Sequence, residues 1–146
     1  MFFEDFYPGQ TAQFGAYLVT EAEIKEFAGK YDPQFFHLDN EAAKHSLFGG
    51  LCASGWHTAS MFMRMLIDSL PEKHGSLGSP GINNLRWLHP VYPGYILNVK
   101  STVSECRLTE SKPGVGLVCM NYQVLNQDGL IVMSLESKAF FKCKNI

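Results

Sequence analysis

Asp32 and His37 stand five positions apart in Tyr31-Asp32-Pro33-Gln34-Phe35-Phe36-His37. A carboxylate and an imidazole that close can share one water as acid and base, with no metal needed. Pro33 stops the preceding helix from running through the pair, so Asp32 is expected on a helix-exit loop where a side chain can be aimed. After a Gly49-Gly50 break, Ser54-Gly55 opens a long apolar segment. An amide at a buried helix start faces an oxyanion well, with the helix dipole behind it. Together these residues could activate water beside a developing negative oxygen.

Each residue also has a plainer reading. Asp32 could bond nearby turn amides, as Asp-Pro favours, and His37 could be a packed or surface imidazole. Gly55 could permit close backbone packing, and Ser54 could be a simple N-cap. His57, on the first turn of the long helix, could face the cleft or an interface; the structural role is favoured. Asp39 reads as an N-cap outside the pair, and Arg64 with Asp68 as an i, i+4 ion pair. His45, His74 and His89 fit no metal-ligand spacing with one another, so no metal and no separate cofactor are expected. Trp87 and the Met-rich helix read as core or tunnel wall.

The elements that must position these groups follow from periodicity. Thr11 to Val19 reads as a strand after a Pro8-Gly9 turn. Thr20 with Glu23 forms a capping-box pattern for a helix whose buried face is Ile24, Phe27 and Ala28. Asp39 would cap a short helix from Asn40 to His45. The longest helix is predicted from Gly55 to Ser69, with Trp56, Ala59, Met63, Leu66, Ile67 and Leu70 at helical spacing. Met61, Phe62 and Met65 extend its apolar surface, leaving Ser60, Arg64 and Asp68 as a thin polar line. Four antiparallel strands should follow. The first spans Ile82 to His89, and Asp128-Gly129 turns the last pair. Leu97, Val99 and Val103 share a face on the second of these strands, Val118, Met120, Tyr122 and Val124 on the third, and Ile131, Met133, Leu135, Ala139 and Phe141 on the last. A greasy helix and a half-apolar sheet have one economical arrangement: the sheet curls around the helix. The predicted class is therefore α+β, a hot-dog fold over residues 1–146 as one domain, with two sheets paired across a dimer to cover edge and flank.

Bulk properties narrow the partners. The 146 residues are 46% hydrophobic and 18% charged, which excludes a disordered chain. A net charge of -2 with scattered basic residues argues against nucleic acid and anionic membranes. No stretch is long and apolar enough to span a bilayer, and MFFEDFYPGQ lacks the pattern of a signal peptide. Cys52, Cys106, Cys119 and Cys143 are widely spaced, as free thiols in a reducing cytoplasm would be.

The run from Tyr31 to Asp39, then Phe48-Gly49-Gly50 and Ala53-Ser54-Gly55-Trp56-His57, resembles the MaoC-like acyl dehydratases, including the (R)-specific enoyl-CoA hydratases. Leu85 to Gly94, LRWLHPVYPG, resembles their downstream strand-to-turn signature. The resemblance implies a hot-dog fold, a hydratase dyad of Asp32 and His37, and a Gly55 amide that helps bind a thioester carbonyl. The chain departs from many members at Gln34 and Phe35, where Asn-Pro is common, and at Ser54 and Trp56, where the motif reads His-Gly-Met. A water-holding hydroxyl of some members falls at Met63, with Ser60 one turn earlier. Ser54, Trp56 and Ser60 are accordingly candidate substrate contacts.

The implied activity is hydration of a 2-enoyl thioester, or the reverse, on coenzyme A or acyl carrier protein, in fatty acid metabolism and by a homodimer or dimer of dimers. Asp32 would activate the water and handle the C2 proton, and His37 would orient the water and share the transfer; the formal base stays open between them. A thioesterase on the same fold and an inactive acyl-thioester-binding subunit are the alternatives.

Overall fold

The computed structural model describes residues 1–145. Around its longest helix, α4 (Gly55–Ser69), runs a five-stranded antiparallel sheet made of β1 (Thr11–Leu18), β2 (Gly81–Trp87), β3 (Ile96–Leu108), β4 (Val115–Leu125) and β5 (Ile131–Lys142). The strand order is β1-β3-β4-β5-β2, which leaves β1 and β2 at the edges. Period-2 alternation turns Leu97, Val99 and Val103 of β3, and Val118, Tyr122 and Val124 of β4, inward. They pack in one cluster with Met61, Phe62 and Met65 of α4. Register shifts in β1 (Phe14/Tyr17), β3 (Val103/Glu105) and β4 (Val124/Leu125) mark irregularities of the kind that bend and twist a sheet, and the sheet curls about the helix. At the β1 irregularity Gly15 has φ +90°, and a Cβ there would lie 2.4 Å from Met65 Sδ. Only a glycine lets β1 cross the helix so closely. The predicted hot-dog fold is the one observed.

The helices between β1 and α4 carry the site. In α1 (Glu21–Tyr31) Thr20 accepts the Glu23 amide at 3.2 Å, as an N-cap should, but the Glu23 side chain does not complete the predicted capping box. It reaches Tyr17 and His57 instead. Phe35–Leu38 forms a one-turn helix, α2, that periodicity over so few residues does not reveal. Asp39 caps α3 (Asn40–Ala43), accepting the Ala42 amide at 3.0 Å; the predicted end at His45 is two residues too long.

Three further expectations need correcting. Helix α4 is not wrapped on nearly all sides. His57, Thr58, Met61, Phe62 and Met65 form its buried face, while Trp56, Met63 and Ile67 are about half exposed beside Ser60. Strand β2 ends at Trp87, because the amides of Leu88 and His89 both turn to the carbonyl of Val132 and leave the ladder. The last hairpin is organised by Asn126 rather than by Asp128-Gly129 alone. Its buried Oδ1 accepts the amides of Asp128 at 2.9 Å and Leu130 at 3.0 Å, an Asx-type turn, with Gly129 at φ +79°.

Candidate active site

Asp32 is the C-cap of α1, its amide held by the Ala28 carbonyl at 2.9 Å, and Pro33 ends the helix there. The chain then turns through Gln34 into α2, which brings His37 back towards Asp32. His37 is 5% exposed and lies edge-on to Phe36. Its Nδ1 sits 2.6 Å from the carbonyl oxygen of Cys52. A carbonyl can only accept, so Nδ1 carries a proton, and in the neutral ring Nε2 is left with its lone pair. That Nε2 lies 3.4 Å from Oδ2 of Asp32.

The partner loop is held as firmly. Leu51, Cys52, Ala53 and Ser54 are all buried. The Cys52 amide donates to Phe36 O at 3.2 Å and the Ala53 amide to Val91 O at 2.8 Å. Tyr92 donates its hydroxyl to the carbonyl of Phe48, so the Gly49-Gly50 turn is tied to the strand side of the fold.

Ser54 directly precedes α4 yet makes no capping hydrogen bond with its side chain. Fully buried, it donates its hydroxyl to Oδ2 of Asp32 at 2.7 Å. Gln34 Nε2 donates to the other carboxylate oxygen, also at 2.7 Å. Burial pushes the Asp32 carboxyl up, but the hydrogen bonds from Ser54 and Gln34 and the nearby His37 outweigh it, and the net result lies below the usual aspartate value. Burial, with the Asp32 charge behind it, pushes the Cys52 thiol up to about 11, so it stays a neutral neighbour at physiological pH.

Gly55 is the first residue of α4, among the amides that no intrahelical carbonyl can satisfy. A Cβ at Gly55 would meet the Trp87 indole at 2.4 Å, so the close-packing reading of this glycine holds alongside any role for its amide. Trp87 is thus a half-exposed cover on the helix start, in T-shaped contact with Trp56 at 5.2 Å, rather than core. Ser60 spends its hydroxyl on Trp56 O at 2.8 Å, one turn back along its own helix. His57 is buried against Glu23, in keeping with the structural role favoured for it.

The structure therefore brings together Asp32, His37 and Ser54, at the start of the helix that opens with Gly55. Two contacts escaped the sequence reading. Gln34 stood out only as a departure from a motif, and Ser54 carried the pattern of an N-cap, which conceals a hydrogen bond to a residue 22 positions earlier. Along the C-terminal half of α4 lies an apolar cavity of about 440 Å³, lined by Phe62, Met63 and Leu66 of the helix and by Val103, Met120, Leu135 and Ala139 of the sheet. Neither Asp32 nor His37 lines it.

Comparison with known proteins agrees with this layout. The chain is 30% identical over 90 residues to the uncharacterised protein YdeM of Bacillus subtilis, a match covering 62% of this chain and 64% of that protein, less than two thirds of its length. A crystal structure of a MaoC-like dehydratase from Rhodospirillum rubrum superposes with a TM-score of 0.92 at 42% identity, covering 100% of this chain and 99% of that one. The (R)-hydratase of A. caviae involved in PHA biosynthesis superposes with a TM-score of 0.71 at 25% identity, over 93% and 97% of the two chains. The model of the MaoC like domain matches residues 5–119, the span that holds α1, the Asp32–His37 turn, the helix opened by Gly55, strands β1 to β3 and the start of β4. With that match over most of its length, the chain belongs to the MaoC-like domain family.

Proposed function

We propose that the protein adds water to a 2-enoyl thioester, or removes it from a 3-hydroxyacyl thioester, with coenzyme A or acyl carrier protein as the carrier. One observation carries this reading: Asp32 Oδ2 and His37 Nε2, 3.4 Å apart, are both acceptors once the Cys52 carbonyl has claimed the other imidazole nitrogen. Two acceptors at that distance repel unless something donates to both, and a single water has two protons to give. Such a water is polarised on both sides and can attack C3, while the Gly55 amide receives the thioester oxygen as it gains charge. The apolar cavity along α4 suits the acyl chain. Membership of the family and the likeness to a known (R)-hydratase support the reaction class.

Exposed apolar residues on the sheet edge and on α4 support a homodimer. Edge strand β2 has one unpaired side, and Ile82, Trp87 and Leu88 on or beside it, with Trp56, Met63 and Ile67 of α4, expose apolar surface that a second copy would cover.

Loss of the enoyl absorbance of crotonyl-CoA, followed beside a free-thiol assay, tests the reaction. Hydration removes absorbance without releasing thiol, whereas a thioesterase releases thiol. An inert response to short, medium, branched and ring-bearing enoyl thioesters would sink the proposal in favour of a binding subunit.

A further inference from the structure

Ser54 directly precedes α4, and its buried hydroxyl is committed to the acid–base pair. We propose that Ser54 is a positioning residue: together with Gln34 it holds Asp32 as a hydrogen-bonded anion, and thereby routes the water's proton to His37 Nε2. The inference rests on the hydration reading for its proton route, though not for the Ser54–Asp32 link itself.

The argument starts from lone pairs. Each carboxylate oxygen of Asp32 already accepts one strong hydrogen bond, from Ser54 Oγ at 2.7 Å and from Gln34 Nε2 at 2.7 Å. A carboxylate so occupied is a poor proton acceptor, since protonation would forfeit part of both bonds. His37 has the opposite provision. Its Nδ1–H is anchored on the Cys52 carbonyl, and Nε2 is an unoccupied base. When Nε2 takes a proton, the resulting imidazolium lies 3.4 Å from the Asp32 anion, which stabilises it. Asp32 is faced by two titratable groups, His37 from α2 and the Cys52 thiol from the loop, while the caps of α2 and α4 contribute the uncharged Gln34 and Ser54.

The proton balance closes on His37 alone. The water oxygen bonds to C3 and its proton passes to Nε2. The C2=C3 electron pair moves through C1 to leave an enolate oxygen on the Gly55 amide. The imidazolium then returns its proton to C2, and the imidazole is regenerated. Asp32 remains an anion throughout.

Two measurements test this. The first follows the Asp32 side-chain carboxyl by carbon-detected NMR against pH in the unliganded protein. Ser54→Ala should raise the proton affinity of Asp32 about tenfold or more, the worth of one hydrogen bond to a charged group, and Ser54→Thr should restore it. A mere packing role for Ser54 would leave that titration in place. The second compares turnover of crotonyl-CoA by His37→Asn, which keeps a donor for the Cys52 carbonyl, and by Asp32→Asn. His37→Asn should lose on the order of 10²–10⁴-fold, and Asp32→Asn should lose less. An unmoved Asp32 titration in Ser54→Ala overturns the positioning role. A His37→Asn enzyme that outperforms Asp32→Asn overturns the proton route. A wild-type chain with the expected titration shift but no hydration of any enoyl thioester would sustain Ser54 as the positioner of Asp32 and sink the hydration reading instead.

Discussion

His57 Nε2 on α4 lies 3.0 Å from Oε1 of Glu23 on α1, and Tyr17 of β1 donates its hydroxyl to the same oxygen. Three elements are thereby joined at one carboxylate, just behind the helix start that carries Gly55. The imidazole is 3% exposed and stacks on Phe27 at 4.8 Å, with the planes 9° apart. Replacing His57 by Ala removes the stack and the hydrogen bond and opens a void. Urea unfolding should show a loss of about 2–4 kcal/mol. A loss below ~1 kcal/mol would mean that the junction contributes nothing beyond ordinary packing.

The Glu23 end of that junction has a signed pH dependence. Burial pushes its carboxyl up, but the hydrogen bonds from Tyr17 and His57 and the charge of His57 outweigh this, and the net result is below the usual glutamate value of 4.5. A carboxyl lowered by folding stabilises the fold at pH values above its unfolded pKa, and that contribution is lost as pH falls through the lower folded value. Glu23→Gln should therefore be the less stable protein at pH 7, with the gap closing below about pH 4. The side chain is 42% exposed, so solvent screening limits the neutral-pH gap to about 1 kcal/mol or less. Paired thermal melts at the two pH values check this, and a gap that widens on acidification would contradict it.

At Gly55 a methyl group would have to displace the Trp87 indole. Gly55→Ala should cost about 1–3 kcal/mol in stability and lower kcat for enoyl thioester hydration, because the helix start shifts with the ring. The double change Gly55→Ala with Trp87→Leu makes room for the methyl and should recover stability in denaturant melts. If it does not, the indole is not what excludes a side chain at position 55.

Ala139 lines the cavity along α4 from the sheet side. Ala139→Phe adds bulk there, of the order of several methylene groups. If the acyl chain occupies this space, kcat/KM should fall at least tenfold for medium-chain enoyl thioesters and little for crotonyl-CoA, since each buried methylene is worth about 0.8 kcal/mol. A uniform decrease across chain lengths would place the chain elsewhere.

For the dimer, Ile82 on edge strand β2 is 49% exposed. Ile82→Lys puts a charge into the proposed contact and should halve the mass measured by light scattering on a sizing column at micromolar concentration. An unchanged mass would move the interface away from β2.

How far the sequence could be read depended on distance along the chain. The Asp32–His37 pair was legible because both residues lie on one short turn, and Pro33 shows where α1 must stop. The bounds of α4 were legible too, since Ser54-Gly55 and Pro71 bracket an unbroken helical spacing. Its faces were not. An apolar side chain has the same spacing whether it meets this chain's sheet or open surface, so Trp56, Met63 and Ile67 looked like core. The Trp87–Gly55 contact and the Ser54–Asp32 bond join separate segments, and neither leaves a local pattern. Glu23 even carried a misleading one, for its capping-box position conceals a role as tether to β1 and α4.

The Cys52 carbonyl has a consequence for which positions the site constrains. The atom that selects the imidazole tautomer belongs to the main chain, so it is supplied by whatever residue stands at 52. The Cys52 thiol, 3.8 Å from Nδ1 and buried, fills space without setting the proton. What must be preserved is the path of the loop, through its ties to Phe36 and Val91, rather than any side chain on it. Position 52 is in that sense chemically silent, although the site's proton inventory hangs from it.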